Sequence, residues 1–367
     1  MPDDAIQVEL GGEDSHGSPP NGAGAGKAPW LVVGLGLGLA LSLLFSNSTG
    51  DAPAAGGDTT PTTTAPALGV GAAIPGFPDG LNVLVSPGEG RALEVLTWPL
   101  RGEPFYRSIP LEDMARSGTA AHFDTSGQFL AATTYTPEGL ILRSGRPNTF
   151  GIVATGVTGF AWHDSDPADL AWSTFEDGEL KIWVSDDAGA GELAVSAVGI
   201  GDYLVAFGDW GFAVGSPEAE DYVVDPSGEP VGSIAGRIVT SHRSGLLLVS
   251  DTDGASVVST GDLETLFEVI DSPAFPVIGA KFSPDGQRVA MTGLVGLTIA
   301  ELGDVIETAS FPIRAGSSSI SWSSDSRFVL VSTSRGVLVL DNETGETRRI
   351  FESDTTRAVA ATPIGGP

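Results

Sequence analysis

The chain has 367 residues and a formal net charge of −29, with 50 glycines, 25 prolines and no cysteine. The missing cysteines exclude disulfide bonds, thiolate metal sites and cysteine nucleophiles. The acidity argues against nucleic acid as a partner, because phosphate binding needs a basic surface. Such acidity fits both a saline habitat and an acidic binding function.

The N-terminal part of the chain predicts a membrane anchor. Residues 1–27 contain five acids and one base, Lys27, and are expected to be a disordered cytoplasmic tail. Residues 28–46 carry no charge, and as a helix they are long enough to cross a hydrocarbon core of about 30 Å. A cleaved signal peptide would instead have a short basic leader. Lys27 is the one base beside the span, so the positive-inside rule puts the N-terminus in the cytoplasm.

Two further features belong to this anchor. Gly34, Gly38 and Ser42 follow one another at four-residue intervals, which predicts a face for homodimerisation of the helix. The alternative is that glycine is simply common in bilayer helices. Residues 47–75 are rich in Thr, Pro, Ala and Gly and read as a disordered stalk. We therefore expect a single-pass cell-membrane protein whose C-terminal domain is extracytoplasmic.

From residue 76 to residue 367 the chain repeats one unit. Each unit has a short strand, a corner rich in Gly, Asp and Ser, and a second apolar strand. A period of about 40 residues with β-type alternation is the signature of a β-propeller. The residues before the corners, spaced 39, 45, 34, 41 and 40 apart, are Phe123, Trp162, Phe207, Ser241, Phe282 and Trp322.

The number of blades follows from the strands in front of the complete units. Six complete units begin near residues 117, 158, 200, 237, 274 and 315, and strands at 81–87, 92–98 and 104–110 precede them. Those three strands need a fourth, which residues 355–363 can supply from the other chain end. Residues 71–80 are the alternative, although Pro75 and Pro78 cannot donate to a ladder. The fold expected is all-β, a seven-bladed β-propeller, with six to eight blades possible.

The corners also carry a family resemblance. Ser283-Pro284-Asp285-Gly286 and Ser324-Asp325-Ser326, each between apolar strands, resemble the WD-like repeat of TolB-type propellers over about residues 80–363. The resemblance implies a propeller and a role in protein contacts at a bacterial envelope. The chain departs from it, because there is no Gly-His…Trp-Asp pair per blade and no TolB-like N-terminal domain. No partner of TolB is carried over.

Few residues suggest a chemical site. Three histidines, His122, His163 and His242, fall near corners of different blades. This placement is typical of histidines in turns and at the surface. The alternative is a three-histidine metal site, for which all three side chains would have to converge in the channel. Asp251–Gly254 and Asp164–Asp166 resemble fragments of calcium loops and equally hairpin turns. We identify no catalytic, metal-binding or cofactor-binding residue, so we expect no cofactor and no enzymatic activity.

Four arginines give the one candidate binding site. Arg116, Arg237, Arg314 and Arg357 all precede first strands, so a propeller would place them on one rim of its channel. Four guanidiniums there would attract carboxylate or phosphate groups. The alternative is that each arginine pairs with a nearby acid, as loop arginines commonly do.

The function expected from these features is a membrane-anchored extracytoplasmic binding or scaffolding module for a protein, peptide or glycan. One alternative is an envelope hydrolase or lyase on the same fold. Another is a transmembrane regulator that signals through the acidic tail.

Overall fold

The structure is a computed structural model of the chain. It describes residues 76–77, 80–86, 94–98, 105–108, 120–136, 139–146, 149–186, 191–198, 202–252, 254–270, 277–293, 296–303, 307–311, 319–333, 336–352 and 357–364. All of these belong to one compact unit, Val33–Pro367, and the other unit, Met1–Val32, lies outside the described residues.

The described residues form seven four-stranded antiparallel sheets, which we call blades 1 to 7. Blade 1 contains β1 (Gly80–Ser86), β2 (Glu94–Trp98), β3 (Phe105–Ser108) and β28 (Arg357–Ile364). Blade 2 contains β4 (Ala121–Phe123), β5 (Leu130–Thr136), β6 (Gly139–Gly145) and β7 (Gly151–Thr155). Blade 3 contains β8 (Val157–Trp162), β9 (Leu170–Glu176), β10 (Glu179–Ser185) and β11 (Glu192–Val198).

The other four blades repeat the same order. Blade 4 contains β12 (Tyr203–Gly208), β13 (Gly211–Gly215), β14 (Asp221–Val224) and β15 (Pro230–Ile234). Blade 5 contains β16 (Arg237–His242), β17 (Leu246–Ser250), β18 (Gly254–Ser259) and β19 (Thr265–Ile270). Blade 6 contains β20 (Gly279–Phe282), β21 (Arg288–Thr292), β22 (Leu297–Glu301) and β23 (Glu307–Phe311). Blade 7 contains β24 (Ile320–Trp322), β25 (Phe328–Thr333), β26 (Gly336–Asp341) and β27 (Thr347–Glu352).

Blade 1 takes its strands from both ends of this region. β28 pairs antiparallel with β1, so that Gly80 faces Ile364 and Val83 faces Ala361. Blades 2 to 7 each use four consecutive strands, whereas the order in blade 1 is β28, β1, β2, β3. Pairing therefore joins residues near the start of the repeats to residues near their end.

Hydrophobic packing between neighbouring blades closes the ring. Seven clusters of buried apolar side chains each span two adjacent blades, from blades 1 and 2 through to blades 7 and 1. Strand β25 shows the consequence, because all six of its residues are buried. Apolar residues on both faces of a strand are expected when both faces are covered. The cluster between blades 1 and 7 contains Val83 and Leu330. The cluster between blades 1 and 2 contains Leu84 and Leu130.

The prediction of an all-β fold is confirmed, and the seven four-stranded sheets are consistent with a seven-bladed β-propeller. Residues 28–46 lie outside the described part of the chain. Within the described part, no helix is long and apolar enough to span a membrane.

Candidate functional site

A hydrogen-bonded cap follows the inner strand of several blades and sets the direction of the chain there. In three blades the cap is an aspartate or serine that accepts a backbone N–H from the start of the next strand. The third residue after the cap has a positive φ, 70° at Gly127 and Gly286 and 60° at Ser326. The capping bonds are Phe129 N to Asp124 Oδ1 at 2.9 Å, Arg288 N to Ser283 Oγ at 2.9 Å, and Phe328 N to Ser323 Oγ at 2.8 Å.

His163 and His242 occupy the same cap position in blades 3 and 5. Nδ1 of His163 accepts the backbone N–H groups of Ser165 and Asp166 at 3.2 and 3.0 Å. Nδ1 of His242 accepts the Ser244 N–H at 3.2 Å. Because Nδ1 accepts in both rings, the neutral imidazole carries its proton on Nε2. These two histidines are therefore corner residues, and burial lowers the pKa of His242.

His163 also has two carboxylates near it, from Asp166 and Asp209. One ligand atom from each of the three residues lies within 4.8 Å of the others. A metal would need a free ring lone pair, yet Nδ1 already accepts hydrogen bonds and Nε2 carries the proton. Nε2 lies 3.5 Å from Asp209 Oδ1. The geometry therefore fits a hydrogen-bonded corner rather than a metal centre.

The inner strands surround a channel with a cavity of about 380 Å³. Every blade contributes to its lining, from Ala361 in blade 1 to Ser321 in blade 7. The volume lies within the roughly 300–1,000 Å³ that ligand pockets usually occupy. The channel is therefore the candidate site of this structure.

Lys281 is the charged group that distinguishes the channel. It lies near the end of β20, and among the described residues no carboxylate is close enough to form an ion pair with it. Its side chain is accessible to water in the channel, while the channel walls surround it at longer range. This enclosure lowers the pKa of Lys281, and the more distant carboxylate of Asp164 opposes the change.

His122 lies on β4, three blades from Lys281 in the shorter direction around the ring. The pKa of His122 is lowered from its ordinary 6.5 to about 4. Enclosure in the channel is the larger cause, and the positive charge of Lys281 is the smaller one. The imidazole is therefore neutral near pH 7. It contacts Phe160 edge-on, with ring centroids 5.6 Å apart.

Indole hydrogen bonds hold the strands that carry these two residues. Trp162 Nε1 donates to the backbone oxygen of His122 at 2.8 Å, and Trp322 Nε1 donates to that of Lys281 at 2.9 Å. Each bond joins a blade to the one before it, about one repeat away. The two tryptophans thus hold the backbone at His122 and Lys281, and these bonds do not depend on the side chains at those two positions.

Asp164 lies at the channel but is not available to a ligand. Its Oδ2 accepts the Trp210 indole N–H at 3.0 Å. Its Oδ1 is buried without a hydrogen-bond partner in the described structure and packs against Gly208, where a Cβ would lie 2.5 Å away. Asp164 therefore acts on Lys281 through space rather than by contact.

The four predicted rim arginines are only partly described. Arg237 begins β16 and forms an ion pair with Asp221, with Nη1 and Oδ1 2.7 Å apart. Asp221 is 1% exposed and also accepts the backbone N–H groups of Ser216 and Ile238. Arg116 and Arg314 lie outside the described residues, and Arg357 begins β28 with an undescribed side chain. The anion-binding rim of four arginines stays a prediction. The dimer face at Gly34, Gly38 and Ser42 lies outside the described residues and also stays a prediction.

Sequence reasoning missed Lys281, although a signal was present. In the aligned repeats the residue before the corner aromatic is His122, Ala161, Ala206, Lys281 and Ser321. Two ionisable groups in a column of small residues mark positions that face the channel. The calcium-loop fragments behave as turns where they are described, since Gly254 N donates to Asp251 Oδ1 at 2.7 Å.

Comparison with known proteins extends these observations at the level of fold. No protein-family model matches the chain, and no curated protein sequence matches it. A protein of unknown function from Desulfotomaculum acetoxidans shares 10% identity at a TM-score of 0.54, over 79% of this chain and 99% of the other. A candidate 6-phosphogluconolactonase from Bacteroides fragilis shares 12% identity at a TM-score of 0.51, over 83% of this chain and 100% of the other.

The similarity to a solved structure of TolB is low. TolB from Acinetobacter baumannii matches at 10% identity and a TM-score of 0.48, over 78% of this chain and 67% of that one. Identities this low indicate a shared architecture without indicating a shared activity. The chain is thus an all-β protein of seven four-stranded sheets, an arrangement consistent with a seven-bladed β-propeller.

The expectation that the chain has no enzymatic activity is wrong, because neither this fold nor the lack of a known catalytic motif supports it. A structure of similar fold, aligned over its whole length, is that of a candidate 6-phosphogluconolactonase. The lack of a recognisable catalytic motif in the sequence therefore excludes nothing. The similarity is too distant to show that this chain is an enzyme.

Proposed function

We propose that this protein is a binding module whose central channel holds a small anionic ligand against Lys281. The observation that carries the proposal is the ammonium group of Lys281, enclosed by the channel without an ion-pair partner in the described structure. A charge that protein walls partly enclose and that has no partner is less favourable than the same charge in bulk water. An anion bound beside it would supply the missing interaction.

The rest of the channel supports a ligand of this charge. Ser241 and Ser321 line the cavity from the blades on either side of Lys281. The Ser241 hydroxyl can donate a hydrogen bond to a ligand, whereas the Ser321 hydroxyl already donates to the Ala361 carbonyl at 2.7 Å. Arg243 also lines it, although its Nη2 already donates to the Pro284 carbonyl at 3.2 Å. Asp164, the acid that influences Lys281, is held by Trp210 and does not occupy the ligand position.

The test replaces Lys281 by Met, which keeps the length and apolar stem of the side chain and removes its charge. The Trp322 bond is to the Lys281 backbone and is retained. We expect calorimetric titration of the full chain with acetate and with inorganic phosphate to show binding of at least one anion, and Lys281→Met to weaken it roughly ten-fold or more.

Lys181→Met is the matched control. Lys181 pairs with Glu176 at 2.7 Å on the outer part of blade 3, away from the channel lining. Its replacement should leave anion binding unchanged. Equal binding by the parent and Lys281→Met, or failure of the parent to bind any anion, would refute the proposal.

We further propose that residues 28–46 anchor this module in a membrane, with residues 1–27 in the cytoplasm and the sheets outside. The uncharged span, the single base Lys27 beside it and the stalk at 47–75 support this. Protease added to intact cells should cut within the stalk and release a compact fragment. Complete protection until the membrane is lysed would contradict the orientation.

An exposed domain of this kind would also present its rims to a protein, a peptide or a glycan at the cell surface. The seven sheets are compatible with such a binding or scaffolding role. The channel proposal is the part of this role for which the structure names residues.

A further inference from the structure

The two sides of the channel differ in chemistry. The side formed by blades 5 to 7 carries the hydroxyl and ammonium groups of Ser241, Lys281 and Ser321. The side formed by blades 3 and 4 carries Phe160 and Val205, which are half-buried and line the same cavity. Val239 of blade 5 continues that apolar side, so the lining changes from apolar to polar within one blade.

The closed ring places these surfaces opposite each other. Phe160 is in blade 3 and Lys281 is in blade 6, and three blades is the largest separation that a ring of seven allows. A ligand that reaches both must therefore have one charged end and one apolar end. Resting on the proposed function above, we propose that the channel selects a small amphipathic carboxylate, with its carboxylate at Lys281 and an aromatic or branched body against Phe160, Val205 and Val239.

The number of charges favours a carboxylate over a phosphate. One ammonium and the Ser241 hydroxyl match a single negative charge, because Nη2 of Arg243 already donates to the Pro284 carbonyl and the Ser321 hydroxyl to that of Ala361. A phosphate has more charge and more acceptor oxygens, and the side chains of Phe160, Val205 and Val239 offer them no donor. His122 is neutral near pH 7 and adjoins Phe160, so it adds a hydrogen-bonding group at the border of the apolar side without adding a charge.

The experiment compares ligands that differ in one feature, using the full chain and titration calorimetry. The probes are acetate, phenylacetate, inorganic phosphate and benzyl alcohol, which has the phenyl group without the charge. Phenylacetate should bind roughly ten-fold or more tightly than acetate, since the phenyl group buries apolar surface. Benzyl alcohol should bind at least roughly ten-fold more weakly than phenylacetate.

Two variants separate this inference from the proposed function. Phe160→Ala should weaken phenylacetate binding several-fold and leave acetate binding unchanged, whereas Lys281→Met should weaken both. Phe160→Leu keeps an apolar side chain and should retain most phenylacetate binding even if Phe160→Ala disturbs β8. Phe175→Ala is the matched control, because Phe175 is an exposed phenylalanine of β9 outside the channel.

Each outcome has one meaning. Equal binding of acetate and phenylacetate, both lost in Lys281→Met, would overturn the amphipathic ligand and leave the anion site standing. Tighter binding of phosphate than of phenylacetate would do the same. Phenylacetate binding that survives Lys281→Met, or no binding by any probe, would overturn both.

Discussion

At the scale of single residues, the positive charge of Lys281 acts on the titration of His122 across the channel. The enclosed position of Lys281 lowers its pKa, and the carboxylate of Asp164 opposes that change. Enclosure in the channel, together with the positive charge of Lys281, lowers the pKa of His122 to about 4. Two cations facing one cavity would repel each other, so the neutral imidazole is the form that the folded channel accommodates.

The pKa of His122 makes stability depend on pH. The folded-state pKa of about 4 lies below the ordinary 6.5, so between these values the unfolded chain binds more protons. The free energy of unfolding should therefore fall as the pH drops from 6.5 to about 4. Below that pH, His122 makes no further change to the free energy of unfolding. We expect His122→Gln to lose less stability than the parent between about pH 7 and about pH 4.5 in urea melts. Identical losses in both proteins would contradict the shift, which NMR titration of the His122 ring would measure directly.

At the scale of the structural element, the corner after each inner strand is a local device that also joins two blades. The cap and the left-handed residue three positions later come from one short segment, as at Ser283 and Gly286. Gly286 also lies against the His242 ring of the neighbouring blade, where a Cβ would come 2.7 Å from Cε1. Glycine at this corner therefore meets both a conformational and a packing requirement.

These two requirements can be separated by comparing two glycines. Gly286 and Gly345 have φ of +70° and +71°, but a Cβ at Gly345 would meet nothing within 4 Å. Gly345→Ala should cost about 1 kcal/mol from left-handed strain alone. Gly286→Ala should cost more, because the His242 ring must move as well. Urea denaturation gives both values, and equal costs would show that the histidine contact is unimportant.

A His242→Ala background completes that comparison. Removing the ring should bring the cost of Gly286→Ala close to that of Gly345→Ala, which a double-mutant cycle detects as coupling between residues 242 and 286. Additive costs would place the strain in the backbone alone.

The difference between local and distant interactions explains how much the sequence could predict. Strands, corners and the number of sheets follow from patterns within about 40 residues, so the all-β fold could be predicted. The facing of Lys281 and His122 depends on the closed ring and on the pairing of strands in different blades. Arg237 shows the same limit, since its partner Asp221 comes from the previous blade. Sequence alone placed that arginine in a connection without showing which carboxylate it would meet.

At the scale of the whole molecule, stability is distributed over seven similar interfaces. Each blade packs on two neighbours through its own cluster of buried side chains. Buried apolar side chains of this size each contribute about 1.5–3 kcal/mol relative to exposure. The clusters on either side of blade 1 depend in addition on β28, because Ala361 belongs to one and Ala360 to the other.

The composite blade also sets an order of events during synthesis. β1 leaves the ribosome roughly 270 residues before β28, the strand it pairs with. At about 5–20 residues per second, β1 waits for tens of seconds while blades 2 to 7 emerge in order. Throughout that interval one edge of β1 is open to pairing with a strand of another chain. The nascent protein is therefore most prone to aggregate just before its last strand appears, and ribosome-bound chains that stop short of residue 357 should be the ones that chaperones retain.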